Sequence, residues 1–241
     1  MPPLAPYGRQ LPYSYALGLY PAMQALQHCP GKVTRVLTHS SLGTGEGAQA
    51  LLSACERLRI RTEPADRLLK RLSGKDNCYA AAVFRKDPQT LQAGRNHLVL
   101  VNPMDAGNLG TMLRTALGFG YEDIALILPC ADPYDPQVIR ASMGAVFSLR
   151  VFEYPDFPAY QEHAGERAFF PFMLSDSAVP LSQAVLKRTN PHSLVFGNEG
   201  SGLPDSFASL GQPVRIEQSQ RIDSLNLAVA AAIGMYSFQK C

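Results

Sequence analysis

One arginine in the second half of this 241-residue chain carries a charge that its neighbours do not explain. Arg114 lies six residues after Asn108, in a predicted helix whose other positions are largely apolar. Burying a guanidinium is costly unless an anion accompanies it. The anion could be an acidic side chain, such as Asp105 or Glu199, or a phosphate of RNA. Arg114 is therefore a candidate anion-binding residue.

Three clusters of polar residues and glycine adjoin apolar runs in the same half of the chain. They cover residues 102–114, 196–204 and 224–230. Glycines in the second cluster permit positive φ angles and let the backbone come close to a ligand. A single loop of this kind is most simply a tight turn, but three such clusters on one predicted sheet favour a ligand site.

Three side chains in the later clusters are further candidates for chemistry. Glu199 places a carboxylate inside a Gly-x-Glu-Gly sequence, which suggests a loop shaped around a partner. Ser224 is suited to helix capping, as is Asp223 beside it. Asn226 follows within a run of Leu, Ala and Val. Because Asp223 or Ser224 can already cap the predicted helix, Asn226 has no structural explanation.

Several common cofactor and catalytic signatures are absent from the sequence. The segment 107–110 lacks the G-x-G-x-x-G spacing of dinucleotide-binding loops and the acidic residue expected about 20 positions later. No Walker-type phosphate loop occurs. The histidines are scattered, so we expect neither a metal site nor a Ser-His triad; they are His28, His39, His97, His163 and His192.

Bulk composition points to a globular protein of the cytoplasm. The content of hydrophobic residues is 46%, and no apolar stretch approaches the roughly 20 residues that span a bilayer. The first residues do not resemble a signal peptide. The cysteines are widely spaced and contain no C-x-x-C pair, which indicates free thiols in a reducing compartment; they are Cys29, Cys55, Cys78, Cys130 and Cys241.

The net charge of +2 conceals an asymmetry between the two parts of the chain. Residues 1–87 hold 12 Lys and Arg against 6 Asp and Glu, whereas residues 88–241 hold 10 against 14. A basic first part is typical of a domain that meets a polyanion, although a solvated surface explains the charge equally well.

The first part of the chain predicts a small α/β domain over residues 13–87, preceded by a flexible proline-rich arm over residues 1–12. Hydrophobic spacing predicts helices over 15–27, 48–58 and 66–72, and strands over 33–38, 60–62 and 79–84. Residues 88–95 are the predicted linker.

The second part, residues 96–241, predicts an α/β domain with a largely parallel sheet covered on both faces. His97–Val101 is a continuous apolar run of the kind found in buried parallel strands. The other predicted strands are 124–128, 149–152, 169–174, 193–196 and 214–216, and the predicted helices are 109–117, 137–147, 181–186 and 223–238. Ligands of such sheets bind beyond the carboxyl ends of the strands, where the first two polar clusters lie.

Over about residues 95–241 the sequence resembles the SpoU/TrmH branch of the SPOUT RNA methyltransferases. The resemblance rests on three ordered motifs and on the segment 138–145 between the first two. The matching residues are Asn108 and Arg114 in the first motif, Gly197, Glu199, Gly202 and Leu203 in the second, and Ser224, Leu225 and Asn226 in the third.

The resemblance implies a trefoil-knotted SPOUT domain, a homodimer and S-adenosylmethionine (AdoMet) as cofactor. It implies methylation of a ribose 2′-hydroxyl of RNA, with ribosomal RNA favoured over transfer RNA, and a small ribosomal-protein-like RNA-binding domain before it. An RNA-binding homologue without catalysis is the alternative. The implied catalytic residues are Arg114, Asn108, Glu199, Ser224 and Asn226, and the implied cofactor-binding residues are Gly197, Gly202, Leu203, Ile216 and Leu225.

Two segments depart from the family pattern. The third motif commonly begins Ile-Pro-Met-x-Gly but here reads Ile-Glu-Gln-Ser-Gln over residues 216–220, which changes the loop and adds a charge at Glu217. In the first domain, a usual His-Gln-Gly segment is replaced by Asp-Asn-Cys-Tyr over residues 76–79. The loop around the cofactor and the recognition of the target are therefore expected to differ.

Overall fold

A computed structural model describes residues 4–87, 89–219 and 221–239 of the chain. In chain order the strands are β1 (Tyr13–Leu17), β2 (Val33–Thr38), β3 (Thr62–Pro64), β4 (Ala80–Arg85), β5 (His97–Val101), β6 (Asp123–Ile127), β7 (Arg150–Tyr154), β8 (Ala168–Pro171), β9 (Val179–Pro180), β10 (His192–Phe196) and β11 (Val214–Arg215). The helices are α1 (Leu19–His28), α2 (Glu46–Arg57), α3 (Asp66–Ser73), α4 (Ala106–Gly118), α5 (Pro136–Ala141), α6 (Phe157–Ala164), α7 (Leu181–Ala184) and α8 (Leu227–Gln239). Short 3₁₀ helices cover Pro30–Lys32, Ala145–Ser148, Val185–Lys187 and Asp205–Ser209.

The chain forms two compact units that are not contiguous in sequence. Unit 1 contains the chain as far as Asp87 together with Asp132–Ser148, and unit 2 contains the rest. The sequence assigned residues 132–148 to the second domain, whereas their contacts place them in unit 1. The chain therefore passes between the units three times, after residues 87, 131 and 148.

Unit 1 is built on a four-stranded sheet in the order β1-β4-β2-β3, in which β2 and β3 run parallel and the other pairs antiparallel. The helix predicted over residues 15–27 is corrected, since Tyr13–Leu17 is a strand paired with β4. Gly18 ends this strand with φ +107°, a backbone angle that glycine adopts readily. Pro21 then falls in the first turn of α1, where the missing N–H costs nothing.

The described part of the amino-terminal segment packs against this unit, which differs from the predicted flexible arm. Leu4 and Tyr7 lie against the hydrophobic cluster around β1 and β4. The Tyr7 hydroxyl donates to the carboxylate of Asp132, and the ammonium of Lys86 lies 2.9 Å from the same hydroxyl and 3.2 Å from Asp132. Residues 4–12 are thus tied to the segment 132–148. Residues 1–3 of the predicted arm lie outside the described residues.

The segment 132–148 contains two short helical pieces where one helix was predicted over residues 137–147. Helix α5 ends at Ala141, and the chain then takes left-handed backbone angles at Met143 (φ 53°) and Gly144 (φ 78°) before the 3₁₀ turn at Ala145–Ser148. A Cβ atom on Gly144 would lie 2.6 Å from Cβ of Gln24, so the close approach to α1 requires glycine. The ring of Phe147 packs edge-on against Phe84 of β4 at 5.0 Å between centroids.

Unit 2 confirms the predicted α/β architecture with a parallel sheet. Its five strands are all parallel in the order β7-β6-β5-β10-β8, and β9 and β11 form a separate parallel pair. The strand predicted over residues 97–101 is confirmed, and all five of its residues are buried. Helix α6 was not predicted from the sequence, although Asp156 caps it and Pro158 lies in its first turn. No helix in the described part of the chain is both long enough and apolar enough to cross a membrane.

Two histidines in the strands of unit 2 are almost completely buried. Each ring meets one tyrosine hydroxyl and one backbone carbonyl, an arrangement that satisfies a neutral imidazole. The partners are Tyr160 and Gln92 for His97, both at 2.9 Å, and Tyr121 at 2.8 Å and Thr189 at 3.0 Å for His192, whose Nδ1 also lies 3.0 Å from Oδ1 of Asn190. Burial lowers the pKa of both rings from about 6.5 to about 4.

We expect these histidines to make the fold sensitive to acid between pH 6.5 and pH 4. In this window the two imidazole rings bind protons in the unfolded chain but stay neutral in the folded chain, so the free energy of unfolding falls as the pH falls. The loss should reach at most about 3 kcal/mol for each ring, at about 1.4 kcal/mol per pKa unit. Urea unfolding at pH 7.5 and pH 4.5 measures it. A His192→Gln variant should show a weaker pH dependence, and equal slopes for both proteins would contradict this explanation.

Candidate active site

A cavity of about 380 Å³ lies in unit 2 beyond the carboxyl ends of β8 and β10. Its walls are the loops that follow these two strands and the segment between β11 and the start of α8. All five residues implied as cofactor-binding line it, together with two of the implied catalytic residues; these are Gly197, Gly202, Leu203, Ile216 and Leu225, and Glu199 and Ser224. The second and third sequence motifs therefore come together at one site.

The loop after β10 is a closed turn held by backbone hydrogen bonds. The Asn198 N–H donates to the carbonyl of Gly202 at 3.2 Å, and the Gly202 N–H donates back at 3.0 Å. Gly202 has φ +66°. A Cβ atom on Gly197 would overlap the backbone of Gly202 and Leu203. The glycines thus make the tight turn possible, and the same turn leaves bare backbone facing the cavity.

Asn198 is a structural residue of the site that the sequence analysis did not single out. Its Oδ1 accepts from the N–H groups of Gly200 (2.9 Å) and Ser201 (3.2 Å), which shapes the turn. Its Nδ2 donates to the carbonyl of Asn102 at 2.8 Å, in the loop that follows β5. Asn102 has φ +53°, an angle that asparagine tolerates better than most residues. The sequence feature that could have identified this pair is an asparagine just after each of the two strands β5 and β10, which are neighbours in the parallel sheet.

The carboxylate of Glu199 binds the backbone of the first motif. Its two oxygens accept from the N–H groups of Met104 (3.2 Å) and Asp105 (3.1 Å). Asp105 in turn caps α4, because its side chain accepts from the Asn108 N–H at 2.7 Å. Glu199 therefore fixes the loop that leads into α4, and neither acidic candidate pairs with Arg114.

Arg114 is exposed, which corrects the expectation that it is buried among apolar residues. It lies on the solvent-facing side of α4 with Gly107, Thr111 and Gly118. Among the described residues it makes no hydrogen bond or ion pair, and it does not line the cavity. Its guanidinium is therefore available to an anion from outside the chain.

Asn226 has a structural role that the sequence analysis did not predict. Its Oδ1 accepts from the N–H groups of Ala228 (2.9 Å) and Val229 (3.3 Å), so it caps α8. Its Nδ2 donates to Oδ1 of Asn108 at 3.1 Å and so links the first turns of α8 and α4. Ser224, a predicted cap, precedes the helix and lines the cavity instead.

Replacing Asn226 by alanine should lower the free energy of unfolding by about 1 kcal/mol, since an N-cap is removed. An Asn226→Asp variant keeps the accepting oxygen and loses only the donor to Asn108, so it should retain most of the stability. Urea unfolding of the two variants beside the wild type tests the assignment. Equal losses in both would show that the bond to Asn108, and not the cap, stabilises this helix.

The altered third motif still forms a wall of the cavity. Ile216 and Gln218 line it, and Nε2 of Gln218 donates to the carbonyl of Asp223 at 3.2 Å. A side-chain bond across the loop thus occurs where the family pattern has proline and glycine. Glu217 is exposed and is absent from the cavity wall, so its charge does not enter the site. Residue 220 lies outside the described residues.

The charged groups that line the cavity are Glu199, Asp205 and Arg215. Within the described ranges, no group of three or more His, Cys, Asp or Glu side chains is arranged to hold a metal ion. The cavity thus combines backbone, apolar side chains and few charges. This composition suits a small organic ligand with polar ends.

Comparison with known proteins gives consistent matches. The SpoU rRNA methylase family matches residues 95–236. An uncharacterized tRNA/rRNA methyltransferase of Synechocystis is 33% identical over 65% of this chain and 56% of that protein. The 23S rRNA (guanosine(2553)-2′-O)-methyltransferase RlmP of Bacillus subtilis is 27% identical over 65% of this chain and 62% of its own length. The match thus spans less than two thirds of either relative.

A similar fold occurs among solved structures. An AdoMet-bound rRNA methyltransferase from Sinorhizobium meliloti superimposes with a TM-score of 0.78 and 26% identity. The superposition covers 95% of this chain and 87% of that chain, so the similarity includes residues of both units.

Proposed function

The chain belongs to the SpoU rRNA methylase family, and we propose that it transfers a methyl group from AdoMet to a ribose 2′-hydroxyl of RNA. The observation that carries this proposal is the cavity, which unites the second and third motifs around a bare backbone turn. Ribosomal RNA is the proposed substrate, with transfer RNA as the alternative, because the relatives are named for both.

The polar backbone groups and the apolar side chains that line the cavity suit AdoMet as a ligand. We propose that backbone groups around Gly197, Gly202 and Leu225 hold its polar parts, and that Leu203 and Ile216 contact its apolar surface. When bound, AdoMet supplies an activated methyl group on a sulfonium sulfur. The volume of about 380 Å³ lies within the range of small-molecule sites.

The protein's own contribution to the reaction is to position the hydroxyl and stabilise its developing charge. The ribose oxygen would accept the methyl group that bound AdoMet supplies, and the hydroxyl proton would leave to water or a phosphate. A guanidinium holds its proton and is a poor base, so we assign Arg114 to the RNA phosphate and to the charge that develops on the oxygen. Glu199, Asn108 and Asn226 position α4 through the contacts described above, and we propose that Ser224, which lines the cavity, orients the hydroxyl.

The exposed faces of α4 and α8 support a homodimer. Among the exposed apolar side chains, Val229 and Tyr236 both lie on α8, and Tyr236 contacts Phe119 at the end of α4. We propose that a second copy covers this face. By the same family resemblance we propose a trefoil knot in the backbone, a ribosomal-protein-like role for unit 1 in RNA binding, and a location in the cytoplasm, where the four described cysteines would stay reduced.

The test is incubation of the purified protein with methyl-labelled AdoMet and unmodified ribosomal or transfer RNA, followed by digestion to nucleosides. Label in a 2′-O-methyl nucleoside is the expected result and identifies the class of RNA. The altered third motif favours one rival, an RNA-binding homologue without catalysis. Absence of both label and AdoMet binding would support that rival and overturn the proposal.

A further inference from the structure

Unit 1 contains a second cavity that the proposed methyl transfer does not use. It has a volume of about 280 Å³ and lies at the carboxyl ends of the parallel strands β2 and β3. In open α/β sheets, ligands commonly bind beyond the carboxyl ends of parallel strands, and β2 and β3 are the parallel pair of this mixed sheet. The residues that line it are His39, Asp66, Arg67, Lys70, Lys75, Asp76 and Cys78.

The charges around this crevice leave an excess of cations. Asp76 is paired with Lys70 at 2.8 Å. Asp66 accepts from the N–H (2.9 Å) and the hydroxyl (2.6 Å) of Ser40. In the described part of the chain, Arg67 and Lys75 make no side-chain hydrogen bond or ion pair. Two cations on the rim are therefore free to bind an anion.

An exposed aromatic ring stands beside these cations. Tyr79 follows Cys78 directly and is 37% exposed, although it precedes a strand whose first five residues are buried. Its ring packs edge-on against His39 at 5.7 Å between centroids, and its carbonyl accepts from the His39 N–H at 2.9 Å. Tyr79 is thus held in place while one face remains open. A fixed aromatic ring beside basic side chains is suited to stacking with a nucleic-acid base.

We propose that this crevice binds a single-stranded segment of RNA, with Arg67 and Lys75 on the phosphates and Tyr79 stacked against a base. The proposal rests on the proposed RNA substrate and names the surface of unit 1 that recognises it. RNA explains the combination of free cations with an exposed ring, whereas an acidic peptide would use the cations alone. Residues 76–79, which differ from the usual family segment, form part of this surface, and the proposal gives them a role in RNA binding.

The experiment measures binding of the full-length protein to a fluorescent single-stranded oligouridylate of about 15 nucleotides, over a range of salt concentrations. Arg67→Ala/Lys75→Ala should weaken binding about tenfold or more and reduce the slope of log K against log salt by about 1.4, since each phosphate contact contributes about 0.7 on single strands. Tyr79→Ala should weaken binding roughly tenfold without changing the slope, and Tyr79→Phe should restore it.

The matched control is Arg57→Ala/Arg61→Ala, which removes two exposed arginines of the same unit at the opposite end of β3. Equal losses for both double variants, no binding by the wild type, or equal competition by polyglutamate would overturn the proposal. AdoMet binding and methyl transfer are measured in parallel. If the crevice variants lose RNA binding but the wild type transfers no methyl group, the proposed enzyme activity is rejected and this RNA-binding surface is kept. If the wild type transfers methyl groups and the crevice variants have an unchanged KM for RNA, the surface is rejected and the enzyme activity is kept.

Discussion

Replacing Arg114 by alanine should reduce methyl transfer by about 100- to 1,000-fold, the loss typical when one group that stabilises developing charge is removed. Arg114 is exposed and free of protein partners in the described structure, so its removal breaks no contact of the fold. It also lies outside the cavity wall, so the Kd for AdoMet should stay within about twofold of the wild type. Single-turnover rates with saturating RNA, together with calorimetric AdoMet titration, measure the two effects.

The matched control for this experiment is Arg95→Ala, which removes another exposed arginine from unit 2 and should retain full activity. Arg114→Lys keeps the charge but loses the planar fork that binds phosphate through two parallel bonds, so partial activity is expected. Turnover by Arg114→Ala at the wild-type rate would remove Arg114 from the mechanism. Loss of activity in both arginine variants would point to a general effect of surface charge.

Replacing Gly197 by alanine should abolish AdoMet binding, with a loss of at least about 100-fold in affinity. The added methyl group would overlap the backbone of Gly202 and Leu203, and backbone atoms in a hydrogen-bonded turn have no room to move aside. The turn would have to open, and the cavity wall that it forms would change shape. Such overlap also destabilises the fold, so thermal unfolding is measured beside the AdoMet titration.

Gly200→Ala provides the control within the same turn. A Cβ atom at this position would lie 3.5 Å from Oδ1 of Asn198, an ordinary contact, so affinity and thermal stability should both stay close to the wild type. An unchanged Kd in Gly197→Ala would show that the turn does not shape the AdoMet site. Loss of affinity in both glycine variants would indicate that any side chain in this loop blocks the ligand.

The sequence was most informative where one local pattern decides the structure. The continuous apolar run at residues 97–101 is typical of a buried parallel strand, which is what it forms, and the glycine-rich turn after β10 was recognisable from its composition. Strand β1 was misread because its apolar residues also fit a helical spacing that continues into α1. Pairing with β4 decides between the two, and β4 lies more than 60 residues away.

The candidate site shows the same limit. The positions of Glu199 and Asn226 could be identified, but their partners could not, because Met104, Asp105 and Asn108 reach them only through the arrangement of strands and helices. The exposure of Arg114 was also misjudged, since a stretch with apolar neighbours on either side can still turn one face of its helix to solvent.

The three crossings between the units have a consequence for dissecting this protein genetically. A gene fragment that stops at Asp87 would encode every strand of the first sheet and yet omit Phe147 and Tyr134, whose rings lie against Phe84. Its product would also lack Asp132, the anchor of the amino-terminal segment. A faithful minimal version of unit 1 must graft residues 132–148 onto residues 1–87 through an artificial linker, and deletion of that segment from the intact gene would damage a domain that ends 45 codons earlier.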